Sequence, residues 1–432
     1  MGKYIESVWE TNMPETFGLG YTGKKLVNKF EYYMPTKLND IQYQPTSEAL
    51  STLSLAQMKL LNLNNTVQHF KNTEAVARLL LRVEAVSSSY IEGKQMGSRR
   101  ILKQELAQEG HVFRFDPKAA EIVGNINAIN DAVDVIDCER PLTIDDINQI
   151  HMKLLVDSPY PEFGGHLRDV QNWVGGSDYN PLNAAYVPPA PEYVEGLMED
   201  LVEYINTSQD LPLIKIALAH AQFESIHPYK DGNGRCGRAL IHLILKKEGL
   251  GSNIVPPISL ILATFSREYV NCLMGFRYSD ESSATDISNA LNKWVIFFSR
   301  SVEIACDRSQ EFDERMQGLE KDWRDRLGRV RAKSALDSAL GVLVGMPIFT
   351  AEMLSDVCHC SLTASYNAIK KLEEAGIIVQ MKGSRGKRAY EVPEMLSELN
   401  RFQRLLASPA GDTSISKPVV VVPDRMRRPS KG

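Results

Sequence analysis

Apolar residues recur at three- and four-residue intervals through much of the chain, the spacing that places them on one face of an α-helix. Between about 46 and 110 the runs LSLAQMKLLNLNN and EAVARLLLRVEAVSSSYIEG carry this pattern, and Gly93 stands where a C-cap glycine would close the second. Two more helices are expected between 115 and 160, the second opening at Thr143 with Asp146 three residues on, a capping-box pair. The pattern then changes. Residues 161–191 are rich in Gly, Pro and Asn with short apolar–polar alternations, which predicts a loop or small hairpin. Helical spacing returns at 192–207, at 211–226 and from 234 to about 248, where Lys246, Lys247 and Gly249 supply stop signals, and again over 266–277 and 286–305. The charged stretch RSQEFDERMQGLEKDWRDRLGRVR is expected to separate these helices from a compact unit at roughly 330–395, and the Pro- and Ser-rich tail beyond reads as disordered.

At about 150 residues per domain, 432 residues predict two to three domains. A formal charge of −5 supplies no global pull toward nucleic acid, although a local basic patch is compatible with it. No apolar run approaches the ~18 residues a membrane span needs, and MGKYIESVWE lacks the basic-then-apolar layout of a secretory signal. Six scattered cysteines are too sparse for a disulfide framework, which makes a reducing cytoplasm the expected location.

The stretch HPYKDGNGRCGR, His227 to Arg238, concentrates the chemistry. Pro228 disfavours helix at His227, so the preceding helix is expected to end there and present the imidazole on a loop. Gly232 and Gly234 flank Asn233 just before a new helix, and successive backbone N–H groups with the helix dipole make an anion site. Arg235 and Arg238 lie on one helical face and can close on the same phosphate. Asp231 beside them suits a Mg²⁺ shared with substrate phosphates. Formally Gly232–Gly237 also matches G-x-G-x-x-G, but helix rather than strand precedes it and no acid follows about 20 residues on, as dinucleotide binding requires.

HPYKDGNGRCGR resembles the Fic-domain signature H-P-F-x-[DE]-G-N-G-R-x-x-R, with Tyr229 in place of Phe, a hydroxyl that needs a partner if buried. The resemblance extends over about 45–300. GGHLRDVQNWV and AAYVPPAPEYVEGLMEDL look like the family's flap, which would put Ala184, Ala185 and Tyr186 nearest the nucleotide. REYVNCL looks like its Tyr-Tyr-x-x-L segment, with Tyr269 matching an adenine-pocket tyrosine and Val270 replacing the second. The family implies AMP transfer from ATP to a Ser, Thr or Tyr hydroxyl of a target protein, the chain itself included. On this chain His227 would be the general base, Asp231 would hold Mg²⁺, the Gly232–Gly234 amides, Asn233 and Arg235 would cradle the phosphates and Arg238 would take the γ-phosphate. Kinase-type relatives depart from G-N-G-R, which is intact here. Ser88-Ser-Tyr-Ile-Glu92-Gly93 resembles the family's inhibitory motif [ST]-x-x-x-E-[GN], which implies that Glu92 pairs with Arg238 and occupies the γ-phosphate position. Removal of AMP, with Glu92 orienting water, and nucleotide sensing by a DNA-binding regulator are the alternative readings.

Residues 349–392 read as a winged helix-turn-helix. Its second helix, 361–375, would pack Ala364, Ala368, Ile369 and Leu372 inward and leave Ser361, Thr363, Ser365, Tyr366 and Lys370 available, with Lys382, Arg385, Lys387 and Arg388 on a basic wing. Such units bind DNA or serve as protein-contact and homodimer modules. The expected architecture is therefore mainly α. An N-terminal helical segment (1–110) precedes a Fic-type helical core with a small β-hairpin flap (111–305), a winged helix-turn-helix (325–400) and a disordered tail (401–432).

Overall fold

The computed structural model describes residues 2–11, 26–67, 73–110, 113–134, 139–177, 179–251, 254–383 and 388–406. It opens with an antiparallel hairpin of β1 (Lys3–Thr11) and β2 (Leu26–Met34), in register from Lys3↔Met34 to Thr11↔Leu26. This corrects the expectation of helix from the first residue. In β1 Ile5, Ser7 and Trp9 are half-buried and Tyr4, Glu6 and Val8 exposed, the period of two that marks a strand. Neither face is uniformly apolar, so the signal was weak.

The helical body follows: α1 (Ser47–Val67), α2 (Thr73–Ile91), α3 (Ser98–Gly110), α4 (Pro117–Asp134), α5 (Ile144–Leu155), α6 (Val194–Thr207), α7 (Pro212–Ile226), α8 (Asn233–Lys247), α9 (Ile258–Thr264), α10 (Ser266–Phe276) and α11 (Ala284–Leu327). Helix α5 carries the expected capping box of Thr143 and Asp146. Every residue of α7 from Leu213 to Ile226 is buried, and α8 is buried from Asn233 to Leu245. A helix covered all round sits at the centre of a bundle, and the indole of Trp294 in α11 fastens it by donating to the Ala217 carbonyl at 2.8 Å.

Helix α11 runs straight through the charged stretch expected to divide the chain. Phe312, Met316 and Trp323 recur at helical spacing inside that stretch and are buried. They are covered by α15 (Pro393–Leu406): Phe312 meets Phe402 at 4.7 Å, Trp323 donates to Glu394 and Arg315 pairs with Glu398 at 2.8 Å. Helix α15 also passes the expected boundary at 400, while 407–432 lie outside the described residues.

Between α11 and α15 lie α12 (Ala335–Leu343), β3 (Ile348–Phe349), α13 (Ala351–Val357), α14 (Leu362–Glu374), β4 (Val379–Lys382) and β5 (Arg388–Glu391). The three strands form an antiparallel sheet in the order β3-β5-β4. Ser361 caps α14, and Ala368, Ile369 and Leu372 face inward as expected. Ser365 does not stay available: it is buried, its hydroxyl donating to the Ala351 carbonyl at 2.8 Å. Arg385 and Lys387 lie outside the described residues. No described helix is long and apolar enough to cross a membrane.

Candidate active site

The signature loop joins the two central helices. Helix α7 stops at Ile226, and His227 takes a left-handed conformation, φ 51° and ψ 60°, uncommon for a residue with a β-carbon. Gly232 is also left-handed (φ 78°), a turn that glycine makes without cost, and α8 begins at Asn233. Both ends of the Asn233 amide are used on Tyr229: Oδ1 accepts from its N–H at 2.8 Å and Nδ2 donates to its carbonyl at 2.7 Å. Asn233 therefore shapes the loop. Tyr229 is fully buried, and its hydroxyl has the partner it needs in Asn148 Oδ1 at 2.9 Å.

Among the described residues, the buried polar atoms around this loop without a partner are His227 Nδ1, Arg235 Nε and Nη1, Glu224 Oε1 and Asn172 Oδ1. Arg235 is 1% exposed, and its nearest carboxylate oxygen, Asp231 Oδ2, is 3.5 Å from Nη2. A buried guanidinium so poorly satisfied at a helix N-terminus is built to receive an anion. Asp231 Oδ1 accepts from the Gly232 amide at 2.6 Å, and its side chain stays half-exposed.

Arg238, also 1% exposed, is fully engaged by the end of α2. Its Nε donates to Ser88 Oγ at 2.9 Å and its Nη2 to the Ser88 carbonyl at 2.7 Å and to Glu92 Oε1 at 2.8 Å. Gly93 ends the helix with φ 75°, which turns Glu92 into the site. A β-carbon at Gly234 would fall 2.1 Å from Glu92 Oε1, so the carboxylate lies directly over that glycine. The pair expected from the resemblance is present.

Electrostatics follow from this packing. Burial pushes the Glu92 carboxyl up, but Arg238, Arg235 and His227 outweigh it and hold it below the usual carboxylate range. Burial, aided by the charges of Arg277 and Arg168 against the opposing pull of Glu92, brings His227 down to about 4 rather than the unperturbed value near 6.5. Glu224 is pushed up to about 7 by burial and by Glu92, against Arg238 and Arg277.

The flap is a loop with isolated bridges, Val174↔Tyr186 and Ser177↔Asn180, instead of a regular hairpin. Ala184 is half-buried and Ala185 exposed, and the Ala185 amide bonds Val174 O at 2.8 Å. Tyr186 turns inward: its hydroxyl donates to the Ser225 carbonyl, and Arg277 stacks 3.4 Å from its ring. Tyr269 is buried close to Arg238, its hydroxyl donating to His220 Nε2 at 2.8 Å while His220 Nδ1–H donates to Gly237 O at 3.1 Å. Val270 faces solvent.

Two further residues outside the motif hold the loop in place. His151 of α5 stacks on Tyr229 with centroids 3.6 Å apart, accepts at Nδ1 from the Gly165 amide at 3.0 Å and donates from Nε2 to the Asp231 carbonyl at 2.8 Å. It ties the anion loop to the start of the flap. Arg168 binds the loop around His227. Neither stands out in sequence, where a histidine on an apolar helix face and an arginine in a loop are ordinary.

The site is thus a left-handed loop between two buried central helices, with two buried arginines and a carboxylate from a third helix resting over it. The Fic/DOC family model matches residues 141–245, and the Fic/DOC family N-terminal model matches residues 50–134. Over these two stretches the chain is similar to the Fic/DOC family. It is 26% identical over 242 residues to the protein adenylyltransferase fic-1 of Caenorhabditis briggsae, covering 52% of this chain and 43% of that protein. It is 32% identical over 174 residues to the protein adenylyltransferase Fic of Drosophila willistoni, covering 38% of this chain and 32% of that one. The chain thus spans less than half the length of these relatives. Among solved structures it resembles a Fic family protein from Desulfovibrio desulfuricans, with a TM-score of 0.47 at 18% identity, over 81% of this chain and 98% of that one.

Proposed function

We propose that the chain is a protein adenylyltransferase, moving AMP from ATP to a Ser, Thr or Tyr hydroxyl of a protein, and that Glu92 holds it inactive. The observation that carries this reading is the buried, half-satisfied Arg235 guanidinium beside a neutral imidazole, with a carboxylate already resting in the adjoining anion position. The Asn233 and Gly234 amides at the start of α8 and Arg235 receive the phosphates next to the bond that breaks, where negative charge grows as pyrophosphate leaves. Arg238 receives the terminal phosphate once Glu92 has moved.

His227 takes the hydroxyl proton, which requires a neutral ring. Its pKa of about 4 ensures neutrality but makes a weak base. An anionic triphosphate in the site stabilises the imidazolium and raises that pKa toward the working range. Mg²⁺, when bound, neutralises phosphate charge. Asp231 is the residue that would hold it, since its carboxylate is half-exposed at the anion loop. Among the described residues no group of three or more His, Cys, Asp and Glu could hold a metal ion.

The test is the intact mass of the purified Glu92→Gly chain after incubation with ATP and Mg²⁺, with or without an added acceptor protein. An added AMP on the chain or acceptor that is stronger than in wild type and lost in Glu92→Gly/His227→Ala supports the reading. No adduct on either in the Glu92→Gly chain ends it.

For residues 325–400 we propose a winged helix-turn-helix whose wing meets DNA phosphates. Helices α13 and α14 and the β4–β5 hairpin, with Lys382 paired to Arg388, support it. Salt-sensitive duplex binding that disappears when Lys382, Arg385, Lys387 and Arg388 become Ala is the expected outcome. Absence of binding to any duplex refutes it.

A further inference from the structure

Arg168 makes contacts out of proportion to its place in a loop. It is 3% exposed, and its guanidinium donates to four backbone carbonyls. Nε reaches His227 O at 2.9 Å, Nη1 reaches Val170 O at 3.2 Å, and Nη2 reaches Pro189 O at 2.5 Å and Ile226 O at 3.4 Å. Its own amide donates to Pro228 O at 2.9 Å. The carbonyls of 226, 227 and 228 therefore all converge on one residue. Between them sits His227, in the left-handed conformation that a side chain with a β-carbon resists. The other two carbonyls belong to the two ends of the flap.

We propose that Arg168 is the positioning residue of this site, a claim that rests on the adenylyltransferase reading for its kinetic consequence. With its guanidinium on the 226 and 227 carbonyls, beside its own amide on the 228 carbonyl, it holds His227 left-handed, with the imidazole turned into the site. By binding Val170 and Pro189 it locks the flap to the same loop. An acceptor chain lying along the flap and the base that takes its proton are thereby referenced to a single planar group. Only arginine offers this: its five donors are set in a rigid fork, whereas lysine's three radiate from one nitrogen. Its charge also opposes protonation of the imidazole. The other charged groups acting on that ring are Arg277 beyond α10 and Glu92 beyond α2, and the Glu224 backbone in the preceding turn favours its protonated form.

The experiment uses the full chain in the Glu92→Gly background, comparing Arg168→Lys and Arg168→Met with the parent. Rates of adduct formation are measured against ATP concentration, and His227 is titrated by NMR on histidine-labelled protein. Arg168→Lys keeps the charge and loses the fork. The expected result is a kcat lower by about 100-fold with KM for ATP within about threefold, the pattern of a misplaced reacting group. The His227 pKa should hold in Arg168→Lys and rise in Arg168→Met, a split that a purely structural role would not produce. A folded Arg168→Lys with the parent's kcat overturns the proposal, as does a raised KM at unchanged kcat.

If neither variant folds, Asn172→Ala removes a second side-chain donor to the His227 carbonyl, which it reaches at 3.4 Å while also reaching Tyr229 O at 2.8 Å. Its kcat should then fall about tenfold, and an unchanged kcat overturns the proposal. If the parent forms no adduct at all, the adenylyltransferase reading fails instead. The His227 resonance then decides positioning: displacement in Arg168→Lys supports it, and an unmoved resonance in both variants overturns it.

Discussion

Gly234→Ala tests the inhibitory contact without touching either member of the ion pair. An ideal β-carbon at 234 lies 2.1 Å from Glu92 Oε1, 3.0 Å from Glu92 Cδ and 2.9 Å from Arg238 Nη1. A methyl group and the carboxylate cannot share that space, so Glu92 must leave Arg238. The lost charge-assisted bond is worth about 1.5–3 kcal/mol, and alanine in the first turn of α8 returns up to about 1 kcal/mol of helix propensity. In the wild-type background the substitution should therefore destabilise by about 1–2 kcal/mol. In a Glu92→Gly background the bond is already gone, and the helix gain is set only against the 2.9 Å approach to Arg238 Nη1, so the same substitution should cost about 1.5–3 kcal/mol less than in wild type. Urea unfolding of the four proteins gives the coupling, expected at about 1.5–3 kcal/mol because both changes remove one contact. Equal effects of Gly234→Ala in both backgrounds would refute the claim that Glu92 occupies the anion position over this glycine.

Two further outcomes follow from the burial of titratable groups around the loop. His151, His220 and His227 are held down to about 4, 3 and 4, chiefly by burial. Unfolding lets all three take up protons below about pH 6.5, so stability falls as pH drops. Glu224 works in the opposite sense, because its folded pKa of about 7 retains a proton that the unfolded chain releases above its ordinary value of 4.5. Three protons against one leave a net two, and these groups should lower stability by about 2–3 kcal/mol between pH 6 and pH 5. A urea midpoint that is unchanged or higher at pH 5 contradicts this. Tyr229→Phe restores the family's usual ring and removes the hydroxyl bond to Asn148. It should cost about 0.5–1.5 kcal/mol in thermal or urea unfolding while leaving adduct formation in the Glu92→Gly background within about threefold. A tenfold loss of rate would show that the Asn148 contact does more than hold the loop.

The sequence by itself determined whatever depends on neighbours along the chain. The stop of α7 at a residue before proline, the glycine turn opening α8, the capping box of α5 and the glycine ending α2 are local steric and hydrogen-bonding facts, and each appears where its residues predict it. The signature loop was legible for the same reason, since its donors are packed into twelve consecutive residues. What lay beyond reach was decided between distant segments. The charged stretch of α11 is helix because α15, eighty residues later, covers Phe312 and Trp323. The first strand pairs with a second whose nearest residue lies fifteen positions on. The seat of Glu92 over Gly234, and the convergence of Ile226, His227, Pro228, Val170 and Pro189 on one arginine, need backbone groups from separate elements brought within hydrogen-bonding range. Backbone carbonyls and amides are identical at every residue. The side chains that bind them therefore carry no signature in sequence, and only the packed structure shows which ones they meet.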